Sequence, residues 1–260
     1  MIYLSEDGDG MFNFFADASI KRDNCYYISG SDFNHIKNVL RMKVGDEILV
    51  SCDGESDLCV LREFSEDTAV AEITEESFQN TELPIKIYLF EGLPKGDKME
   101  LIIQKCVELG VHAVVPTEMS RCVVKLDDKK KKSKISRWQS ISESAAKQSK
   151  RNTVPEIMNV MSYKEALLFA EKLDLFLVPY ESKNGMADTV SALKEIRNGM
   201  SVGILVGPEG GFDEKEIDEA LSHKAKIISL GKRILRTETA AITAVGMCML
   251  YSEMNSGEKE

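Results

Sequence analysis

The spacing of apolar positions changes once along the chain, near residue 85, and that change predicts two domains. Before it, DEILVSCD (46–53), DLCVLREF (57–64) and TAVAEIT (68–74) are short β-rich runs, separated by the turn-type stretches GES (54–56) and SED (65–67). SDFNHIKNVLRM (31–42) sets Phe33, Ile36, Val39 and Leu40 at helical spacing, with Ser31 or Asp32 as N-cap. One helix beside several short strands predicts a small β-barrel over residues 1–74. The polar, proline-ended EESFQNTELP (75–84) reads as a linker.

From residue 85 strands and helices alternate. Apolar runs predict strands at IKIYLF (85–90), HAVVP (112–116), LFLVPY (175–180), SVGILVG (201–207) and AKIISL (225–230). Between them lie a helix capped by Asp97 that runs to Leu109, with Gly110 at C′, and a helix around 135–148 behind a lysine-rich loop. Asp213 with Glu216 forms the pattern of a capping box, and the last helix covers 237–251. Continuous apolar strands between helices predict a parallel sheet covered on both faces, over residues 85–255, followed by a short tail (256–260).

Composition adds limits. With 260 residues, 43% hydrophobic and 29% charged, the chain has material for a sizeable core and an ordinary soluble fold. No apolar run is long enough to span a bilayer, and MIYLSEDGDG lacks the basic and apolar regions of a signal peptide, so a cytoplasmic location with no membrane partner is expected. The cysteines Cys25, Cys52, Cys59, Cys106, Cys122 and Cys248 include no C-x-x-C pair and there are only three histidines, so no metal is expected and the thiols read as buried and reduced. The net charge of −10 weighs against a nucleic-acid partner until its distribution is considered. Residues 1–82 carry a net −12 and the remainder +2, and the stretch 95–151 alone has 14 basic and 7 acidic residues. Such segregation is compatible with a focused RNA-binding face.

Two polar loops are candidates for chemistry. GPEGGF (207–212) follows an apolar strand and precedes a capped helix, which makes it either a tight turn or a ligand loop at the carboxyl end of a sheet strand. One strand-helix unit later, LGKRILRTETA (230–240) packs Lys232, Arg233, Arg236 and Glu238 into seven positions, with Thr237 or Thr239 able to cap the following helix. Neither a P-loop nor a G-x-G-x-x-G fingerprint is present, which leaves an NTPase or a dehydrogenase weakly supported.

Together, GPEGGF and LGKRILRTETAA closely resemble the signature of the SPOUT methyltransferases, and within them the ribosomal RNA small subunit methyltransferase E family. HIKNVLRMKVGDEI (35–48), LPKGDKMELIIQKCVELGV (93–111), SRCVVKL (120–126), RWQSISESAAKQSKRNTVPEI (137–157) and LVPYE (177–181) resemble that family in its order. The chain departs from it at Asn13, where the family usually has an arginine before paired phenylalanines. The resemblance implies an α/β protein with an N-terminal PUA-like β-barrel and a C-terminal SPOUT domain holding a trefoil knot. It further implies a homodimer that binds S-adenosyl-L-methionine and methylates N3 of a uridine of 16S rRNA in the small ribosomal subunit. The alternatives are another SPOUT reaction, such as ribose 2′-O-methylation of tRNA, and an inactive RNA-binding assembly factor.

On that resemblance the cofactor falls to Leu177, Val178, Gly207, Glu209, Gly210, Leu230, Gly231, Ile234, Leu235, Arg236 and Thr239. Arg236 is expected to stabilise the uridine anion that forms when the imide proton leaves, and Glu209 or Glu238 to accept that proton, unless each is merely ion-paired with Arg236 or Arg233. RNA contacts are expected from Arg41, Lys43, Lys95, Lys98, Lys105, Arg121, Lys125, Arg137, Lys147 and Arg151. Lys129 to Lys132 reads as a solvated loop, and Trp138 as a core or interface anchor.

Overall fold

The computed structural model describes residues 11–180 and 185–256, and within it the chain divides into two units. One takes the residues up to Glu82 together with 146–154, and the other takes 83–145 and 155–260. The N-terminal decapeptide, Glu181 of the LVPYE match and the tail from 257 lie outside the described residues.

In the first unit the strands are β1 (Phe12–Phe15), β2 (Lys21–Arg22) and β3 (Cys25–Ser29), then, after helix α1 (Gly30–Asn34), β4 (Glu47–Cys52), β5 (Glu55–Phe64) and β6 (Thr68–Gln79). They form one sheet in the order β1-β4-β5-β6-β3-β2, parallel between β1 and β4 and antiparallel elsewhere. Alternate residues point inward: Ile48 and Val50, Cys59 and Leu61, and Ala69, Ala71 and Ile73 bury one face with Phe14, Tyr26 and Ile36. The β4–β5 turn is Asp53-Gly54, both with positive φ, the backbone that a two-residue hairpin demands. Glu55 and Ser56, expected in the turn, therefore belong to β5. The segment expected as linker also differs, because β6 continues through it to Gln79 by pairing with the start of β5.

Local helical spacing misjudged the stretch 31–42. The helix starts at Gly30, so neither Ser31 nor Asp32 is its N-cap, and Asp32 instead pairs with Lys147 at 2.9 Å. The chain then widens into a π-turn (His35–Val39), closed by Leu40 N–H donating to the His35 carbonyl. This turns Ile36 fully into the core.

Residues 146–154 join the first unit through polar bonds rather than a strand. Asn13 Nδ2 donates to the Arg151 carbonyl at 2.9 Å, and Asn152 Nδ2 donates to the Gln79 carbonyl at 2.9 Å. Arg151 is 3% exposed and its guanidinium grips Glu82, whose carboxylate also accepts the N–H groups of Asn152 (3.0 Å) and Thr153 (3.2 Å). Arg151 is therefore a buried strut, which corrects its expected role as an RNA contact: this side chain has no surface to offer a phosphate. Asn13, the departure from the family pattern, is buried in the same network and bonded to Ser51.

The second unit contains β7 (Lys86–Gly92), α2 (Lys98–Glu108), β8 (Ala113–Glu118), α3 (Asp128–Gln148, whose last three residues cluster with the first unit), β9 (Glu156–Ile157), β10 (Met161–Ser162) and α4 (Tyr163–Ala170). It continues with β11 (Leu175–Pro179), α5 (Ala187–Leu193), β12 (Ser201–Val206), α6 (Glu214–Ser222), β13 (Lys226–Ile228) and α7 (Thr237–Ser256). The sheet is parallel throughout, in the order β10-β8-β7-β12-β11-β13 with β9 beside β8. Its central strands are buried along most of their length, as expected of a sheet covered on both faces, and Tyr88, Phe169, Phe90 and Phe176 make a run of edge-to-face contacts. Trp138 lies in the core.

Helix ends explain where these elements stop. Val111 and Gly110 donate to the Cys106 and Val107 carbonyls, the two bonds that close a helix before a C′ glycine. Asp97 occupies the N-cap position of α2 but contributes only its carbonyl, not its side chain. The lysine-rich stretch expected as a loop forms the first turns of α3, whose start is fixed by Asp127 accepting from Lys130 N–H at 2.8 Å. At α6 the capping box is complete: Asp213 accepts from Lys215 N–H, and Glu216 accepts from Asp213 N–H at 2.9 Å. Glu216 also accepts Ser120 N–H at 2.8 Å, which ties α6 to the loop after β8. Asp213→Ala is expected to cost about 1 kcal/mol in urea denaturation. An unchanged midpoint would mean that Glu216 alone holds the helix start.

Candidate active site

The strands of the parallel sheet all run toward one carboxyl edge, and β7 is where the strand order reverses direction, the position at which open α/β sheets bind ligands. The loops after β7, β12 and β13 meet there. The approach is close because Gly92, the last residue of β7, has no side chain: a Cβ there would stand 2.6 Å from Pro208 Cδ and 2.8 Å from Met119 Sδ. Pro208 of GPEGGF thus rests directly on the end of β7.

The loop after β13 folds into a cleft of about 240 Å³ lined by Pro179, Tyr180, Leu230, Gly231, Ile234 and Leu235, among others. Four of the residues expected to hold a cofactor, Leu230, Gly231, Ile234 and Leu235, are brought together in its wall. Gly207, Glu209 and Gly210 lie on the neighbouring loop. Leu177 and Val178 are fully buried in β11, so their side chains are strand core. Thr239 is exposed on the first turn of α7.

Lys98 is the residue whose position most changes the reading of the charges. Its ammonium stands 3.0 Å from Glu209 and 3.3 Å from Glu238, so these carboxylates pair with a lysine of α2 and not with Arg236 or Arg233. Glu209 also accepts Lys95 N–H at 3.0 Å. Burial works to raise the Glu209 pKa, but Lys98 and the backbone donors outweigh it and hold the carboxyl below its usual value. Both glutamates raise that of Lys98, the bond to Glu209 most strongly. Lys98, expected on an RNA face, is therefore part of the site's own charge balance. Arg236 and Arg233 are exposed, and among the described residues neither guanidinium has a hydrogen-bond or ion-pair partner.

Neither Thr237 nor Thr239 caps α7. The N-cap place belongs to Arg236, whose carbonyl accepts Ala240 N–H at 2.8 Å. Thr237 points inward, its Oγ1 lying 2.7 Å from the Gly207 carbonyl oxygen and 2.8 Å from Oε1 of Glu91. Glu91, at the end of β7, is fully buried, and its Oε2 has no hydrogen-bond partner among the described residues. Sequence reasoning passed over it, although a lone carboxylate ending an apolar strand was the available signal.

Of the other basic candidates, Arg121 donates to the Gly210 carbonyl at 3.1 Å, which steadies the GPEGGF loop. Lys105 pairs with Glu108, and Arg137 with Glu100, each at 2.8 Å. Arg41, Lys43, Lys95 and Lys125 are exposed. Four of the cysteines are buried, and Cys25 and Cys52 are half-buried; burial pushes the thiols of Cys59 and Cys248 up to about 12. Among the described residues no helix is long and apolar enough to cross a membrane.

A family model for an RNA methyltransferase domain matches residues 81–249, and one for an RNA methyltransferase PUA domain matches residues 28–74. The chain is 43% identical over 238 residues to ribosomal RNA small subunit methyltransferase E of Bacillus subtilis, covering 90% of this chain and 93% of that protein. The chain belongs to the ribosomal RNA small subunit methyltransferase E family. Its α/β architecture with a PUA-like N-terminal unit agrees with the expected fold class. Within the family, the crystal structure of the Neisseria gonorrhoeae enzyme bound to S-adenosyl methionine is 33% identical, with a TM-score of 0.76 over 94% of this chain and all of that one. A putative methyltransferase from Legionella pneumophila, also in complex with S-adenosylmethionine, is 28% identical, with a TM-score of 0.79 over 93% of this chain and 98% of that one.

Proposed function

We propose that this chain is an S-adenosylmethionine-dependent methyltransferase of the small ribosomal subunit, that it modifies N3 of a uridine in 16S rRNA, and that it works as a homodimer. The observation that carries the reading is the cleft at the carboxyl edge of the sheet, where the Leu230–Leu235 wall adjoins the GPEGGF loop and the guanidinium groups of Arg233 and Arg236, which have no partner among the described residues, in a chain of this family. The cleft suits the cofactor: Leu230 and Leu235 offer apolar sides, and the loop backbone offers donors and acceptors along one edge. The trefoil knot belongs to the same reading. It is supported by β12 lying between β7 and β11 although β11 precedes it in the chain. Exposed Leu250 and Met254 on α7 supply apolar surface for a second copy.

S-adenosylmethionine supplies an electrophilic methyl group. The chain has to present N3 with its proton removed and to stabilise the negative charge left on the uracil carbonyls. Arg236 is the group free to do the second, since among the described residues no carboxylate pairs with it. Glu209 and Glu238 are the candidate proton acceptors, but Lys98 beside Glu209 lowers its basicity. Orientation and the cation therefore provide most of the rate.

The test is transfer of labelled methyl from the cofactor to undermethylated small subunits, followed by nucleoside analysis. The expected product is 3-methyluridine. A ribose 2′-O-methyl product, or cofactor binding without transfer to RNA, would replace this reading with one of its alternatives. RNA affinity should also fall with salt. If Arg41, Lys43, Lys95 and Lys125 each meet a phosphate, log K against log[salt] should have a slope of about −3 to −4. A flat response removes these four residues from the interface.

A further inference from the structure

Thr237 has one hydroxyl hydrogen and two oxygen neighbours, the Gly207 carbonyl at 2.7 Å and Glu91 Oε1 at 2.8 Å. A carbonyl only accepts, so the hydrogen satisfies Gly207 only if Glu91 brings a hydrogen of its own to Thr237 Oγ1. A charged Glu91 would also leave Oε2 as an anionic oxygen, fully buried and without a hydrogen bond, which is far costlier than burying half of a neutral acid. We propose that Glu91 is an uncharged carboxylic acid that donates its proton to Thr237 Oγ1, turning the Thr237 hydroxyl onto Gly207 and so fixing the spacing of the β12 and α7 loops. Glu91 is then a positioning residue, acting through Thr237 on the GPEGGF loop on one side and on Arg236, the preceding residue, on the other.

The surroundings favour the neutral form. Burial pushes the Glu91 carboxyl well above its usual range; the contact with Thr237 works against this, and the charges of Glu209 and Glu238 add to the rise. From α2 the ionisable group facing it is Cys106, itself fully buried, and Lys98 is engaged by the two outer glutamates. Among the described residues no cation pairs with Glu91.

The role in catalysis rests on the proposed methyl transfer, whereas the protonation state does not, and the two are tested apart. Infrared difference spectra of wild type against Glu91→Gln, taken at pH 7 without cofactor or RNA, should show the carbonyl stretch of one protonated carboxylic acid in wild type only. Its absence overturns the proposal. In methyl transfer, Glu91→Gln keeps an N–H donor to Thr237 and should stay within about twofold of wild-type kcat. Glu91→Leu removes the donor and should lower kcat about 100-fold, as loss of alignment does, while KM for the cofactor changes far less. Glu91→Gln falling as far as Glu91→Leu would mean that a charged carboxylate is what the site requires, and the proposal would fail.

Discussion

Replacing Arg236 with alanine is expected to lower turnover by about 100- to 1000-fold while leaving cofactor affinity within about twofold. The size follows from what the side chain is free to do. Lys98 already has two carboxylates, and Arg121 is held on the Gly210 carbonyl, so Arg236 is a cation of the site whose charge has no partner among the described residues. A charge placed where an anion develops acts on the transition state and not on the ground state, so kcat falls without a matching change in binding. Single-turnover methyl transfer together with calorimetry separates the two. Equal losses in both would make Arg236 a ligand of the cofactor. Arg236→Lys should recover only part of the rate, because a lysine offers a point charge and not a planar pair of donors.

The largest effect on stability is expected at Arg151, far from the chemistry in sequence. Arg151→Ala leaves the Glu82 carboxylate in a mostly buried place with, among the described residues, the N–H groups of Asn152 and Thr153, and breaking such a pair costs about 3 kcal/mol. The pH dependence is fixed by sign. In the native protein burial raises the Glu82 pKa, but Arg151 and the two backbone donors outweigh it and hold the carboxyl below its usual value. That stability is fully present above the ordinary carboxylate range, near pH 4, and is lost as pH falls through the folded value. The deficit of Arg151→Ala against wild type should therefore be largest at pH 7 and shrink on acidification, as read by urea denaturation across that range. A deficit that stays constant with pH would show that packing of the guanidinium, not its charge, is what the unit loses.

Much of the second unit was legible because its signals are local. Its apolar strands are buried on both faces, so continuous runs mark them, and Asp213 with Glu216 or the glycine after Leu109 announce helix ends within four residues. The first unit was read less well where distant residues decide. A π-turn at residues 35–39 keeps nearly the same apolar spacing as an α-helix, and only the pocket for Ile36 distinguishes them. Residues 75–79 look like a linker until the start of β5 is beside them. Arg151 looked like a surface cation because nothing near it in sequence reveals Glu82. At the site, the loops were visible as glycine- and charge-rich interruptions, whereas Lys98 and Glu91 took their roles from neighbours more than a hundred residues away.

The way residues 146–154 complete the first unit bears on how the chain is made. During synthesis the N-terminus emerges first, and a domain contiguous in sequence can close as soon as it clears the exit tunnel. Here Asn13 waits for a carbonyl 138 positions downstream, and Glu82 for a guanidinium 69 positions downstream. Until then the nascent sheet carries an acidic, partly unsatisfied seam, so a fragment ending at residue 82 should be a poor folding unit and its maturation should follow the arrival of this strap, whatever the speed of its hairpins.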